Sequence, residues 1–264
     1  MIEVCSFREG SAPLLISVPH DGCHLPPEVQ DAMTPAGTAL PDTDWHVAQL
    51  YEFAGELGAN ILVANYSRYV VDLNRPASDE ELYPGQLATG LCPTQTFAGE
   101  SIYTSGQLID KAARVDAFWH PYHDRIRVTL EALRARHGHA LLWDAHSIPS
   151  RVPRLFDGEL PALNIGTNSG ASCSRALEQA VTSVAKASEY STVLNGRFRG
   201  GYITRHYGDP DNHIHALQLE IAQRVYMDEQ TTTYDAEKAL RLRDTLRSML
   251  RAYLETAKNM GERR

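Results

Sequence analysis

No cysteine in this chain of 264 residues belongs to a C-x-x-C pair. Cys5, Cys23, Cys92 and Cys173 are far apart, which argues against a cysteine zinc finger and fits a reducing, cytoplasmic setting. No run approaches the ~18 apolar residues that a membrane helix needs. Residues 1–10 (MIEVCSFREG) carry early acidic and polar side chains and no long apolar core, so no secretory leader is expected there. Basic excess is missing too. The formal net charge is −8, which argues against a general nucleic-acid binder. The chain has no H-E-x-x-H zinc helix, no G-x-S-x-G elbow, no P-loop and no G-x-G-x-x-G turn. No repeat, low-complexity stretch or linker divides it, so one domain over residues 1–264 is expected.

What is present is an ordinary globular composition, 43% hydrophobic and 22% charged, with 11 histidines. Apolar runs at 13–18, 60–65, 69–73, 139–144, 161–165 and 214–221 predict strands. Helical spacing predicts helices over 43–57, 105–137, 172–188 and 235–258, the second interrupted before Pro121. Residues Val47, Leu50, Tyr51, Ala54 and Leu57 share one face of the first. Strands alternating with amphipathic helices predict an α/β fold, a mostly parallel sheet covered on both faces. Sites in such folds form beyond the carboxyl ends of the strands.

Polar clusters fall at those ends. His20, Asp21 and His24 follow the first run, Asn74 and Arg75 the third, and Asp144 and His146 the fourth. Glu220 sits inside the last run, where an unpaired carboxylate is costly. Catalytic zinc takes about three imidazole or carboxylate ligands and leaves one position open for water. His20 and His146 are the imidazole candidates. Asp44 is the chosen carboxylate, with Asp42 and Asp21 as rivals, and Asp42 or Asp44 could instead cap a helix. His24 reads as a solvated loop residue. His46, His120, His123, His137 and His139 read as packing, capping or surface residues.

Six segments in order carry a resemblance: Ser17-Val18-Pro19-His20-Asp21-Gly22; Asp42-Thr43-Asp44-Trp45; Val71-Asp72-Leu73-Asn74-Arg75-Pro76; Asp144-Ala145-His146-Ser147; Gly200-Gly201-Tyr202-Ile203-Thr204-Arg205-His206-Tyr207-Gly208; and Leu217-Gln218-Leu219-Glu220-Ile221. Over about residues 12–228 the chain resembles the N-formylglutamate amidohydrolases, the last enzymes of one bacterial histidine-degradation route. More distantly it is similar to aspartoacylases and zinc carboxypeptidases. The resemblance implies a three-layer α/β/α fold of the carboxypeptidase-like (phosphorylase/hydrolase-like) type, with a mostly parallel or mixed sheet. It implies His20 and His146 as zinc ligands, Asn74 and Arg75 as a carboxylate clamp, Glu220 as general base and Arg68 as the group that polarises the scissile carbonyl. The relatives place a glutamate three residues after the first histidine. Here Cys23 stands there, so the third ligand must come from elsewhere, and Asp44 is expected to supply it.

The expected substrate is a small dicarboxylate, N-formyl-L-glutamate, cleaved to formate and L-glutamate. Two carboxylates call for two cationic clamps, and the planar fork of arginine suits them. Arg205 is the candidate for the side-chain carboxylate, with Tyr202, Thr204 and His206 adding hydrogen bonds. Gly200 and Gly201 allow a tight loop there. Arg197 and Arg199 read as a solvated face. Two other readings stay open: a deacylase of another N-acylated acidic amino acid, and a silent binder of acidic metabolites on the same fold.

Overall fold

The structure is a computed structural model that describes residues 2–80, 89–105 and 109–261. Among them, seven strands form one sheet in the order β1 (Cys5–Arg8), β3 (Asn60–Ala64), β2 (Leu14–Val18), β4 (Ala140–Ile148), β7 (Ile214–Ala222), β5 (Leu163–Gly166) and β6 (Thr192–Leu194). The central strands β3, β2, β4 and β7 run parallel. β1 is antiparallel to β3 and β5 is antiparallel to β7, so the sheet is mixed. The helices are α1 (Pro27–Gln30), α2 (Pro35–Thr38), α3 (Val47–Leu50), α4 (Lys111–Arg114), α5 (His120–His137), α6 (Arg175–Ala187), α7 (Tyr202–Tyr207) and α8 (Ala236–Gly261). No helix among the described residues is long and apolar enough to cross a membrane.

Alternation along each strand decides which layer a side chain joins. Ile16 of β2, Trp143 of β4 and Leu219 of β7 pack with residues of α3, α6 and α8 on one face. Leu15, Leu142 and Ala216 pack with α5 and with Ile203 of α7 on the other. Full burial of side chains such as Leu15 and Leu142 contributes roughly 1.5–3 kcal/mol each. The second face turns polar toward the carboxyl ends. After Leu142 come Asp144 and His146, and after Ala216 come Gln218 and Glu220, all buried. The expected three-layer α/β/α class is the one observed.

Four expected elements differ. The helix expected at 43–57 is the single turn α3 followed by a 3-10 turn, Glu52–Leu57. His46, in the left-handed region at φ +64°, delays its start. The strand expected at 69–73 is a loop. Its apolar residues serve two separate clusters, Val70 in one and Val71 with Leu73 in the other. Asp72 Oδ1 accepts from the backbone N–H of Asn74, a local bond that competes with a strand ladder. The helix expected at 105–137 starts at Lys111, capped by Asp110, whose carboxylate accepts from Ala113 N. It widens into a π turn over Val115–Trp119, just ahead of Pro121. Residues 106–108 lie outside the described residues. The strand expected at 139–144 runs on to Ile148, which places Asp144 and His146 within it.

Candidate active site

A cavity of about 730 Å³, counting its open mouth, lies at the carboxyl ends of β2, β4 and β7. His20, Asp44, Arg68, Asn74, Arg75, His146 and Glu220 all line it. His20 leaves the end of β2, and its carbonyl accepts from Asp44 N at 3.1 Å, which ties the two loops together. The rivals of Asp44 are engaged elsewhere. Asp21 Oδ1 accepts from Val47 N at 2.9 Å, so Asp21 holds the start of α3. Asp42 Oδ2 accepts from Tyr69 Oη at 2.6 Å and from Phe97 N at 2.8 Å.

Asp44 Oδ2 lies 3.0 Å from His146 Nδ1 and 3.7 Å from His20 Nδ1. One ligand atom from each of His20, Asp44 and His146 falls within 4.8 Å of the others, and all three residues are buried. His20 Nδ1 is buried and makes no hydrogen bond among the described residues. Ligands about 2.0–2.2 Å from a tetrahedral zinc sit roughly 3.3–3.6 Å apart. Asp44 Oδ2 lies close to that spacing from both imidazoles, and with the donor set and the orphaned Nδ1 this fits a divalent metal. The outer nitrogens are held as metal-binding histidines require. His20 Nε2 faces Asp72 Oδ1 at 2.8 Å, and His146 Nε2 faces Asp144 Oδ2 at 3.2 Å.

The ionisable groups respond to these contacts. Burial disfavours ionised Asp44, yet its hydrogen bond to His146 and the nearby imidazole of His20 outweigh this and hold it below the usual carboxylate range. Burial likewise opposes charge on His146, but Asp144 and Asp44 raise its pKa well above the ordinary value. Glu220 goes the other way. Burial pushes its carboxyl up to about 8, with His146 opposing and Asp44 adding to the rise.

Arg68 is locked by carboxylates, Nη2 on Asp72 Oδ2 at 2.9 Å and Nη1 on Asp44 Oδ1 at 3.4 Å. Arg75 Nε donates to Thr89 O at 2.7 Å, and Trp119 Nε1 of the π turn donates to Arg75 O at 2.9 Å. His123 stacks on Trp119 with centroids 3.7 Å apart, and its Nε2 meets Leu73 O at 2.9 Å. Those two rings brace the loop that carries Asn74 and Arg75.

The glycine-rich segment behaves differently from the expectation. Arg205, Tyr202, Thr204 and His206 are not among the cavity-lining residues. Arg205 Nε donates to Gly200 O at 2.7 Å, and Tyr202 stacks with His206 at 4.8 Å. Thr204 Oγ1 donates to Asp144 Oδ2 at 3.3 Å, so it supports the site from behind. The helix α7 begins at Tyr202, and of this segment only Gly201, the residue before it, lines the cavity. Arg197, expected on a solvated face, lines the cavity instead, with Phe198, Gly201 and Gln218. The roles of Asp72, Asp144, Gln218 and Arg197 were not read from the sequence. Asp144 and Gln218 each stand two residues before a site residue on the same face of a buried strand, which is a usable signal. Arg197 had none, because a loop has no period.

The N-formylglutamate amidohydrolase family profile matches residues 12–227. The chain is 52% identical over 259 residues to an N-formylglutamate deformylase of Pseudomonas aeruginosa, covering 96% of this chain and 97% of that one. It is 49% identical to an N-formylglutamate deformylase of Pseudomonas putida, with the same coverage. The fold matches a crystal structure of an N-formylglutamate amidohydrolase from Ralstonia eutropha at a TM-score of 0.83 and 24% identity, over 96% of this chain and 99% of that one. The chain belongs to the N-formylglutamate amidohydrolase family.

Proposed function

We propose that this protein hydrolyses N-formyl-L-glutamate to formate and L-glutamate, with one zinc ion held by His20, Asp44 and His146. One observation carries the reading: two imidazoles and a carboxylate from three separate segments converge beside the buried Glu220. The names of the two Pseudomonas relatives supply the substrate. We place the reaction in histidine breakdown, as the family resemblance implies, and in the cytoplasm, as the scattered, unbridged cysteines suggest. Manganese, cobalt or iron also suit this donor set.

Bound zinc would supply a water acidified to a pKa of about 7. Glu220 accepts a proton from the attacking water and later gives it to the departing amine nitrogen. A carbon–oxygen bond forms at the formyl carbon, and the carbon–nitrogen bond breaks. Arg68, held by Asp72 and Asp44, offers positive charge to the developing oxyanion, and such preorganised charge is usually the largest contribution to rate. Arg75 and Arg197 take the two substrate carboxylates, with Arg197 in the place expected for Arg205.

The test is formate release from N-formyl-L-glutamate by purified protein, with N-acetyl-L-glutamate and N-acetyl-L-aspartate in parallel, before and after chelation. Turnover of the acetylated compounds alone would move the assignment to another deacylase. Binding without turnover, insensitive to chelation, would leave a silent binder.

A further inference from the structure

Two buried carboxamides in the cavity wall are oriented by the same device. Asn74 Oδ1 accepts from Ile203 N at 2.8 Å. Gln218 Oε1 accepts from Gly201 N at 2.6 Å. Both N–H groups belong to the start of α7. A backbone N–H can only donate, so each carboxamide presents its oxygen to α7 and its NH₂ to the other side. This settles which end is which without reference to hydrogen positions. The Asn74 NH₂ then lies 3.0 Å from His146 Nε2 and 3.4 Å from Asp144 Oδ2. The Gln218 NH₂ donates to Glu220 Oε2 at 3.3 Å.

We propose that the start of α7 is a common bracket, through which Asn74 positions Asp144, the carboxylate that accepts from Nε2–H of the metal-ligand His146, and Gln218 positions the carboxyl group of Glu220. Asn74 and Gln218 are positioning residues. Asn74 spends its hydrogen bonds on protein partners and does not grip a substrate carboxylate. Gln218 occupies one oxygen of Glu220 and leaves the other for the proton transfers. Gly201 makes the bracket possible, because a Cβ there would come within 2.3 Å of Asn74 Nδ2 and 2.5 Å of its Cγ. Its φ of −79° suits any residue, so the constraint is contact with Asn74 and not backbone strain.

The inference rests on the zinc-hydrolase reading, and the test separates the two. Asn74→Ala, Gln218→Ala and Gly201→Ala are compared with the unaltered chain. Zinc affinity of the metal-free protein is measured by competition with a chelator dye, and kcat and KM are measured for N-formyl-L-glutamate. Supporting shells around metal ligands are typically worth about 10–100-fold in metal affinity or activity. Asn74→Ala is expected to weaken zinc binding by about that factor while KM stays within about threefold. Gln218→Ala keeps zinc affinity and loses about 10–100-fold in kcat at unchanged KM. Gly201→Ala reproduces both losses. If Asn74→Ala fails to fold by circular dichroism, Asn74→Asp, which keeps the acceptor for Ile203, takes its place. A large rise in KM with intact zinc affinity for the Asn74 variant, or full kcat for Gln218→Ala, overturns the bracket. Absence of zinc binding or of turnover in the unaltered chain overturns the functional reading instead.

Discussion

His146 and Glu220 occupy the same rung of the sheet, paired across the parallel strands β4 and β7. Residues in register on adjacent strands point to the same face, with backbones about 4.8 Å apart. The proposed ligand and the proposed base are therefore set side by side by strand register. A one-residue slip of β7 would turn Glu220 into the opposite layer. The next rung on the same face, two residues back, pairs Asp144 with Gln218, so the groups that hold the pair stand directly behind it.

Replacing the base tests its role most directly. Glu220→Gln keeps the volume and removes the proton acceptor. General acid–base catalysis is worth about 10²–10⁴-fold, so kcat should fall by about that factor. Zinc content, measured by elemental analysis, should stay near the unaltered value. Substantial residual turnover would exclude Glu220 as the base.

The same substitution should stabilise the metal-free protein at alkaline pH. Glu220 ionises at about 8 in the folded state, against a reference of 4.5. The folded protein therefore holds this proton more tightly than the unfolded chain. Its contribution to stability is complete below the unfolded pKa and is lost as pH rises through about 8. Thermal unfolding after chelation should give Glu220→Gln the higher midpoint near pH 9, with the gap closing near about pH 5. Equal gaps at both values would refute the buried, protonated carboxyl.

Substrate grip should separate two arginines of one segment. Arg197 lines the cavity and Arg205 does not. Arg197→Ala should raise KM for N-formyl-L-glutamate at least tenfold, since charge-assisted hydrogen bonds contribute roughly 1.5–3 kcal/mol each. Arg205→Ala should change KM by less than about threefold. Arg75→Ala should weaken substrate binding far more than zinc binding. The reverse ranking of Arg197 and Arg205 would restore the reading made from sequence.

Asp72 should act on the metal through His20. Its Oδ1 is 2.8 Å from His20 Nε2, while Arg68 and His20 hold it ionised against the cost of burial. Asp72→Asn should lower zinc affinity about 10–100-fold, read by chelator competition on the metal-free protein. It also loosens Arg68, so kcat should fall even at saturating zinc. Unaltered zinc affinity would show that His20 needs no such partner.

Much of the site was legible because three of its parts broke a strong pattern. His20 stands two residues past a fully buried strand, and His146 and Glu220 interrupt two others. Buried strands tolerate such residues only when they are paired or functional. Asp44 was harder to single out, because a helix-start aspartate has an ordinary use as a cap. The structure gives that use to Asp21. The strand expected at 69–73 was misread because buried loop residues can mimic a short apolar run. Arg205 was favoured over Arg197 because motif order carries no direction for a side chain.

The sequence by itself determined the layer class, the central strands and the short list of chemical groups, since these follow from apolar period and from the cost of burying charge. Only the tertiary structure decided which carboxylate meets both imidazoles, which arginines face the cavity and how each carboxamide is turned. Those relations join residues as far apart as Asn74 and Ile203. They depend on strand register and on the path of loops, and no local pattern of residues encodes either.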